Sequence, residues 1–388
     1  MKKEDIVLLS TAEWDNPFWT NKQHVAVELA KLDHRVFYID SLGLRRPSVS
    51  KQDGKRIIKR IKKAIKSPIE VRKNIWVWSP ILIPFQSKKI IRKVNFFLLN
   101  NWLDYWLDKL KFNKDIFWTY NPLTMDLFDV QKYNKLIYHC VDEIKAQPGM
   151  LVKILERAEK NLIVNSNVVF TTSLKLYESR KLWNSNTYYL PNVADFDHFS
   201  KAMDESTNIP TDLLKIPSPR IGFIGAISSY KLDFDLIEYL AKKHPNYSFI
   251  FIGKIGEGDP WTNVDKLKKY NNIYFLGPRD YNVLPNYLKG IDATILPNKI
   301  NEYTKSMFPM KFFEYLAAGK PIVSVDLPAL KEFRNVFLVS KTYEEFSENI
   351  DKFLENPNFN FEERMILAKK YTYKERTKKM IEIIEGLK

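Results

Sequence analysis

A single cysteine, Cys140, in 388 residues leaves no partner for an intramolecular disulfide and excludes a multi-cysteine zinc site. Its simplest use is as a small buried hydrophobe. Glycine is scarce at twelve residues, which argues against a flexible or fibrous chain, and 45% apolar with 14% aromatic residues argues against disorder. No apolar run reaches the roughly 18 to 20 residues that span a bilayer, and the apolar stretch within MKKEDIVLLSTAEWD is too short for a signal peptide. A cytoplasmic chain, attached at most to the inner face of the cell membrane, is the expectation. Acidic residues are outnumbered, 46 against 61 basic ones, for a formal charge of +15. That excess is concentrated: residues 45–73 hold twelve Lys and Arg against Asp53 and Glu70. Such a field attracts phosphates, whether of lipid headgroups, nucleic acid or a polyanionic acceptor.

The length suits two domains. Strand-like runs at 6–10, 36–39, 75–78, 116–120, 136–140, 168–171 and 187–190 alternate with helical segments, which predicts a parallel, doubly wound sheet. A second series begins at 220–224 and continues through 248–252, 273–276, 293–296, 322–325 and 337–339, with helices near 234–243 and 310–318. The predicted division is a Rossmann-like domain at 1–195, a linker at 196–218, a second Rossmann-like domain at 219–365, and a helical tail at 366–388. Two such domains should face each other across a crevice.

The segment 306–326, SMFPMKFFEYLAAGKPIVSVD, is the densest in signals. Pro309 suits the first turn of a helix whose N-terminal donors, with Thr304 and Ser306 just before, could receive a diphosphate. Glu314, one turn on, can accept two hydrogen bonds from a vicinal diol such as a ribose. The same spacing also suits a solvated helix-face glutamate. Gly319, Lys320 and Pro321 end the helix. GFIGAISSYK, residues 222–231, is a strand, a glycine turn and a cation, Lys231, suited to phosphate.

Together the words P-x-K-x-x-E-Y-L-A-A-G-K-P-I-V-S resemble the C-terminal domain of GT-B retaining glycosyltransferases of family 4, including teichuronic-acid-type transferases of bacterial surface-polysaccharide pathways. The resemblance covers most of 165–388, and it implies that 1–195 is the acceptor-binding domain, 219–365 the nucleotide-sugar-binding domain, and 366–388 a crossover helix that packs back on the first domain. It implies that Glu314 holds ribose hydroxyls and that the preceding loop, with Thr304, Ser306, Met307 and Lys311, holds the diphosphate. Gly225 and Lys231 match the family's phosphate-binding turn, and Arg279 and Tyr281 the segment framing the nucleobase. A surface arginine and a packing tyrosine are the plain alternatives for the last two. The sequence departs at Ser306, where the family often has a sugar-contacting glutamate, and at Ala226, where arginine is usual.

In the first domain, the loop 11–24 offers Trp14, Trp19, Thr20 and Asn21 as acceptor contacts, by sugar-face stacking and hydrogen bonding. Asp15 would be an acceptor-activating base if the enzyme were inverting. His139, closing a strand, is a catalytic candidate near the transferred sugar, with a satisfied structural histidine as the alternative. The basic run sets Lys55, Arg56, Lys59, Arg60, Lys62, Lys63 and Lys66 around isoleucines at helical spacing, an amphipathic surface helix suited to anionic membrane; 95–107 is a second aromatic-rich amphipathic stretch. The Asp-Phe-Asp triplets at 195–197 and 233–235 are read as a loop and a helix start, and GT-B enzymes usually need no metal. The expected function is a metal-independent transferase moving a hexose, with retention, from a nucleoside diphosphate sugar, UDP-linked, to a hydroxyl of a glycan or lipid-linked acceptor. A non-catalytic sugar-nucleotide scaffold and a basic nucleic-acid-binding protein are the rivals.

Overall fold

Runs in which every residue is apolar and buried, such as those within Asp5–Leu9 and Ser248–Ile252, build strands covered on both faces, as parallel sheets require. The computed structural model describes residues 3–17, 19–42, 67–83, 89–259 and 261–387. It divides into two units, one of residues 1–190 with 377–388 and one of residues 191–376.

The first unit holds β1 (Asp5–Leu9), β2 (Arg35–Ile39), β3 (Ile69–Arg72), β4 (Ile75–Trp78), β5 (Ile116–Thr119), β6 (Lys135–Cys140), β7 (Val168–Thr171) and β8 (Thr187–Tyr189). Their order is β3-β4-β2-β1-β5-β6-β7-β8, parallel except for β3, which pairs antiparallel with β4 at one edge. That edge strand escaped the sequence reading because Ile69–Arg72 is exposed throughout and so lacks a buried pattern. Alternation along each strand serves two cores. Val7 and Leu9 face Leu99, Leu103 and Leu107 of the helix Lys89–Lys109, whereas Ile6 and Leu8 share a cluster with Val25, Leu29, Met380, Ile381 and Ile384. The last three belong to the helix Tyr373–Glu385, by which the chain returns to its first unit.

The second unit holds β9 (Arg220–Ile224), β10 (Ser248–Ile252), β11 (Ile273–Gly277), β12 (Ala293–Leu296), β13 (Ile322–Val325) and β14 (Leu338–Ser340), ordered β11-β10-β9-β12-β13-β14 and all parallel. The strand order reverses beside β9, so the loops leaving β9 and β12 form a switch point, the place where open α/β sheets bind ligands. Residues 196–218, expected as a linker, are packed instead: Phe199, Ala202, Leu213 and Ile216 are buried in the second unit's core. Their polar neighbours masked four apolar anchors. The helix Phe361–Lys370 also stays with the second unit, so the chain leaves it after residue 376 rather than 365.

Two features carry predictions. Gly253, just after β10, has φ +154°, and a Cβ there would lie 1.8 Å from the Gly225 carbonyl oxygen. Backbone on both sides cannot yield as a side chain would, so Gly253→Ala is expected to cost about 3 kcal/mol or more and to lower Tm by roughly 6 to 12 °C. A melt superimposable on the parent's would refute the close approach. In the first unit, buried Arg180 makes bidentate contacts to Glu143 (2.8 and 2.9 Å) and reaches both Glu159 oxygens at 2.9 Å, while the Tyr138 hydroxyl donates to Glu159. Arg180→Met strands two carboxylates, at an expected cost of about 3 to 5 kcal/mol in denaturant unfolding.

Candidate functional site

The loops after β9 and β12 are stitched together at the switch point. Asp233 N donates to the Pro297 carbonyl at 2.8 Å, Lys299 N to the Lys231 carbonyl at 2.9 Å, and Asn301 Nδ2 to the Tyr230 carbonyl at 2.7 Å. The stitching places the Lys231 ammonium 5.4 Å from the Tyr230 ring centre and 5.3 Å from that of Tyr303, the two rings meeting edge to face. Among the described residues Lys231 has no carboxylate partner. A cation held by two π-faces, without a neutralising anion, remains available to an incoming one. Tyr230, Tyr303 and Asn301 did not stand out in the sequence, because their roles depend on two loops seventy residues apart.

Gly225 accepts the close approach of the β10 loop, its N–H donating to the Ile252 carbonyl at 2.9 Å. Thr304 is buried within a capping box: its Oγ1 accepts from Asn301 N at 2.9 Å and its own N–H donates to Asn301 Oδ1 at 3.0 Å. Its hydroxyl therefore fastens the loop. Ser306 is buried too and donates to the Glu302 carbonyl at 3.0 Å, while Met307 is half-buried beside it. The helix that follows runs Lys311–Ala317, seven residues, so Pro309 precedes it instead of occupying its first turn. Pro309 lies in the connecting loop, whose Phe308 carbonyl accepts from Asn192 Nδ2 at 2.7 Å.

Glu314 is 3% exposed, not a solvated helix-face residue. Its Oε2 accepts from Lys311 Nζ at 2.5 Å, and no described residue donates to Oε1. Burial raises its carboxyl above the ordinary range, Lys311 opposes the rise, and nearby Asp195 adds to it. Tyr281 belongs to the same group: burial chiefly, and then the charges of Glu314 and Asp195, push its hydroxyl up. His198 stacks on the Tyr281 ring at 4.3 Å and 15°, and its Nε2 lies 2.9 Å from the Tyr281 carbonyl. Burial lowers its pKa, favouring a neutral ring. Asp195 in turn caps His198 N at 3.2 Å. The first Asp-Phe-Asp triplet thus supports Tyr281, and in the second Asp233 caps the helix Phe234–Lys243. Asn192, Asp195 and His198 were legible only as parts of a loop.

Arg279 is engaged elsewhere, with Asp212 at 2.8 Å and the Tyr287 hydroxyl at 2.6 Å, holding the turn at Thr211–Leu214. In this arrangement it is a structural arginine.

In the first unit His139 is 0% exposed, stacked on Tyr120 at 4.7 Å with Trp118 and Phe170 at 6.0 Å. As placed, it is an aromatic-cluster residue. Trp14 packs on Trp19 and Tyr38, and Trp19 on His24 with the Arg72 guanidinium 4.8 Å over its ring. Thr20 forms a capping box with Gln23, and Asn21 is buried. These four side chains shape the loop after β1 from within, whereas Asp15 is exposed on it. Lys55, Arg56, Lys59, Arg60, Lys62, Lys63 and Lys66 lie outside the described residues. Among those described, no group of three or more His, Cys, Asp or Glu residues could hold a metal ion, and no helix is long and apolar enough to cross a membrane.

Comparison with known proteins agrees with this architecture. Residues 206–373 match the family described as Glycosyl transferases group 1. Over 233 residues the chain is 29% identical to a Bacillus subtilis (strain 168) protein named "Putative teichuronic acid biosynthesis glycosyltransferase TuaH", a match spanning 56% of each chain. Among solved structures, the sucrose-phosphate synthase of Thermosynechococcus elongatus superposes with a TM-score of 0.68 at 14% identity, over 99% of both chains. Anabaena Alr3699/HepE, solved in complex with UDP and glucose, gives 0.68 at 15% identity, over 99% of this chain and 100% of the other. The fold is GT-B, with two Rossmann-like α/β units.

Proposed function

We propose that the chain is a GT-B glycosyltransferase that moves a hexose from a nucleoside diphosphate sugar, UDP-linked, to a hydroxyl of a cell-surface polysaccharide or lipid-linked glycan, with retention and without a metal. The observation that carries the reading is the Lys231 ammonium, held by two rings and without a carboxylate partner among the described residues, at the β9/β12 switch point of a unit that also buries Glu314. The glycosyltransferase family match, the teichuronic-acid relative and the UDP-bound neighbour support it.

Glycosyl transfer passes through an oxocarbenium-like sugar while negative charge gathers on the departing diphosphate. Lys231, preorganised between two rings, stabilises that charge. The carboxylate of Glu314 binds the ribose through Oε1, and Tyr281, fixed by His198, frames the base. The freed phosphate oxygen accepts the acceptor's hydroxyl proton as the new glycosidic bond forms on the face the nucleotide leaves. Arg279, His139 and Thr304 act through the scaffold. The basic run at 55–66 attaches the enzyme to the inner face of the membrane, where a lipid-linked acceptor resides.

A screen of UDP-, GDP- and dTDP-sugars with and without EDTA tests this. Nucleoside diphosphate release with UDP-hexose, undiminished by EDTA, is the expected result; nucleotide binding with no turnover on any donor would establish the scaffold reading instead.

A further inference from the structure

The helix Lys89–Lys109 is amphipathic in an unusual sense, apolar on both sides. Its inward face, with Asn95, Leu99, Leu103 and Leu107, completes a core of the first unit. Its outward face should then be polar. Instead it exposes Ile90 (77%), Val94 (39%), Phe97 (65%), Leu98 (37%), Trp102 (46%) and Tyr105 (56%). At 100° per residue these six fall within an outward arc of about 140°, and from Ile90 to Tyr105 the stripe runs about 22 Å. Scattered exposed hydrophobes need no explanation, but six gathered on one arc of a helix, interrupted there by Asn101, mark a contact surface.

We propose that this stripe is a bilayer-docking surface, inserting into the headgroup and acyl boundary of an anionic membrane. The charge around it selects that occupant. Lys89, Arg92, Lys93 and Lys109 outnumber Asp104 and Asp108 on the helix, and Asp104 is neutralised by Lys114 at 2.6 Å and Lys132 at 2.9 Å. The twelve cations of residues 45–73 precede it in the chain. Trp and Tyr with aliphatic neighbours and flanking cations are the composition of a helix lying in the interface plane. The inference deepens the proposed peripheral attachment and rests on it for the kind of surface. It adds an apolar component that the basic run alone lacks, and it does not depend on the transfer chemistry.

Cys140 is buried, with its thiol pushed up by burial, so an introduced cysteine can be labelled selectively in the full chain. Phe97→Cys and Trp102→Cys carrying an environment-sensitive fluorophore should shift to the blue with phosphatidylglycerol-containing vesicles and be quenched by nitroxide on the lipid acyl chains. Pure phosphatidylcholine should produce little change, and a label at Leu182→Cys, exposed but outside the helix, should remain unquenched. A Trp102→Asp, Tyr105→Asp variant should lose at least tenfold in anionic-vesicle affinity while keeping its melt and its UDP affinity. The proposal is overturned if the chain does not bind these vesicles. It is also overturned if the chain binds while both labels stay in water, because the basic run then docks alone. Labels already shielded without vesicles, in a chain of dimeric mass, would assign the stripe to a second copy. Labels that bury in a chain without transferase activity would sustain the docking surface and reject the proposed reaction.

Discussion

Glu314→Ala is expected to weaken UDP binding by about 2 to 3 kcal/mol, some 30- to 150-fold, measured by calorimetry. The loss corresponds to charge-assisted hydrogen bonds from a ribose diol to a carboxylate taken out of water. The fold should survive the change, because the carboxylate's hydrogen-bond partner, Lys311, keeps 23% of its side chain exposed, which gives the ammonium a route to solvent. A melt close to the parent's would show that the lost affinity is local. The pH dependence has a definite sign. Burial raises the Glu314 carboxyl, so acidification protonates it sooner than an exposed glutamate, and the protonated acid accepts less well. UDP affinity should therefore fall as pH drops through that raised value, and the fall should vanish in Glu314→Ala. Unchanged calorimetric affinity in the variant would remove Glu314 from the ribose.

Lys231→Ala has the second large effect, on a different quantity. Among the described residues the ammonium faces no carboxylate, so its charge is open to an arriving diphosphate, and its value is greatest when the departing group carries most charge. Loss of one such preorganised group is expected to lower kcat by about 10²- to 10³-fold. Because the interaction strengthens in the transition state, kcat should fall more than KM rises. Steady-state kinetics with UDP-hexose measure the split; a variant turning over within threefold of the parent would mean that another group neutralises the leaving diphosphate. Ala226 sharpens this expectation. With no arginine at that position, the β9 loop offers Lys231 alone as its cation between residues 225 and 231.

The contrast between these two residues and His139 shows how far a motif can be read. Glu314 and Lys231 lie in short segments whose spacing, turn residues and charge are local properties, so both could be singled out as candidates without knowledge of distant contacts. His139 lies one residue before the end of β6. Its surroundings, however, come from Trp118 and Tyr120 after or within β5 and Phe170 on β7, and those neighbours leave it fully buried. Arg279 has the same history. Local sequence set it beside Tyr281, but an ion pair to Asp212, 67 residues earlier, drew it into the scaffold. Trp14, Trp19, Thr20 and Asn21 likewise looked like a carbohydrate-binding set, and packing and capping use their rings and polar groups first.

The sequence alone determined the alternation of strands and helices, the two α/β units, the glycine turn after β9, and Glu314 with its helix. Each follows from periodicity of two or 3.6 and from residues whose backbone preferences act over a few positions. Tertiary structure alone decided that residues 196–218 are core, that Tyr230 and Tyr303 cage Lys231, that His198 supports Tyr281, and that one helix keeps an apolar face in solvent. Those outcomes depend on which side chains meet across seventy or more residues, or on which face of an element meets none. Burial is a property of the assembled layers, and one stretch of chain carries only half of each contact.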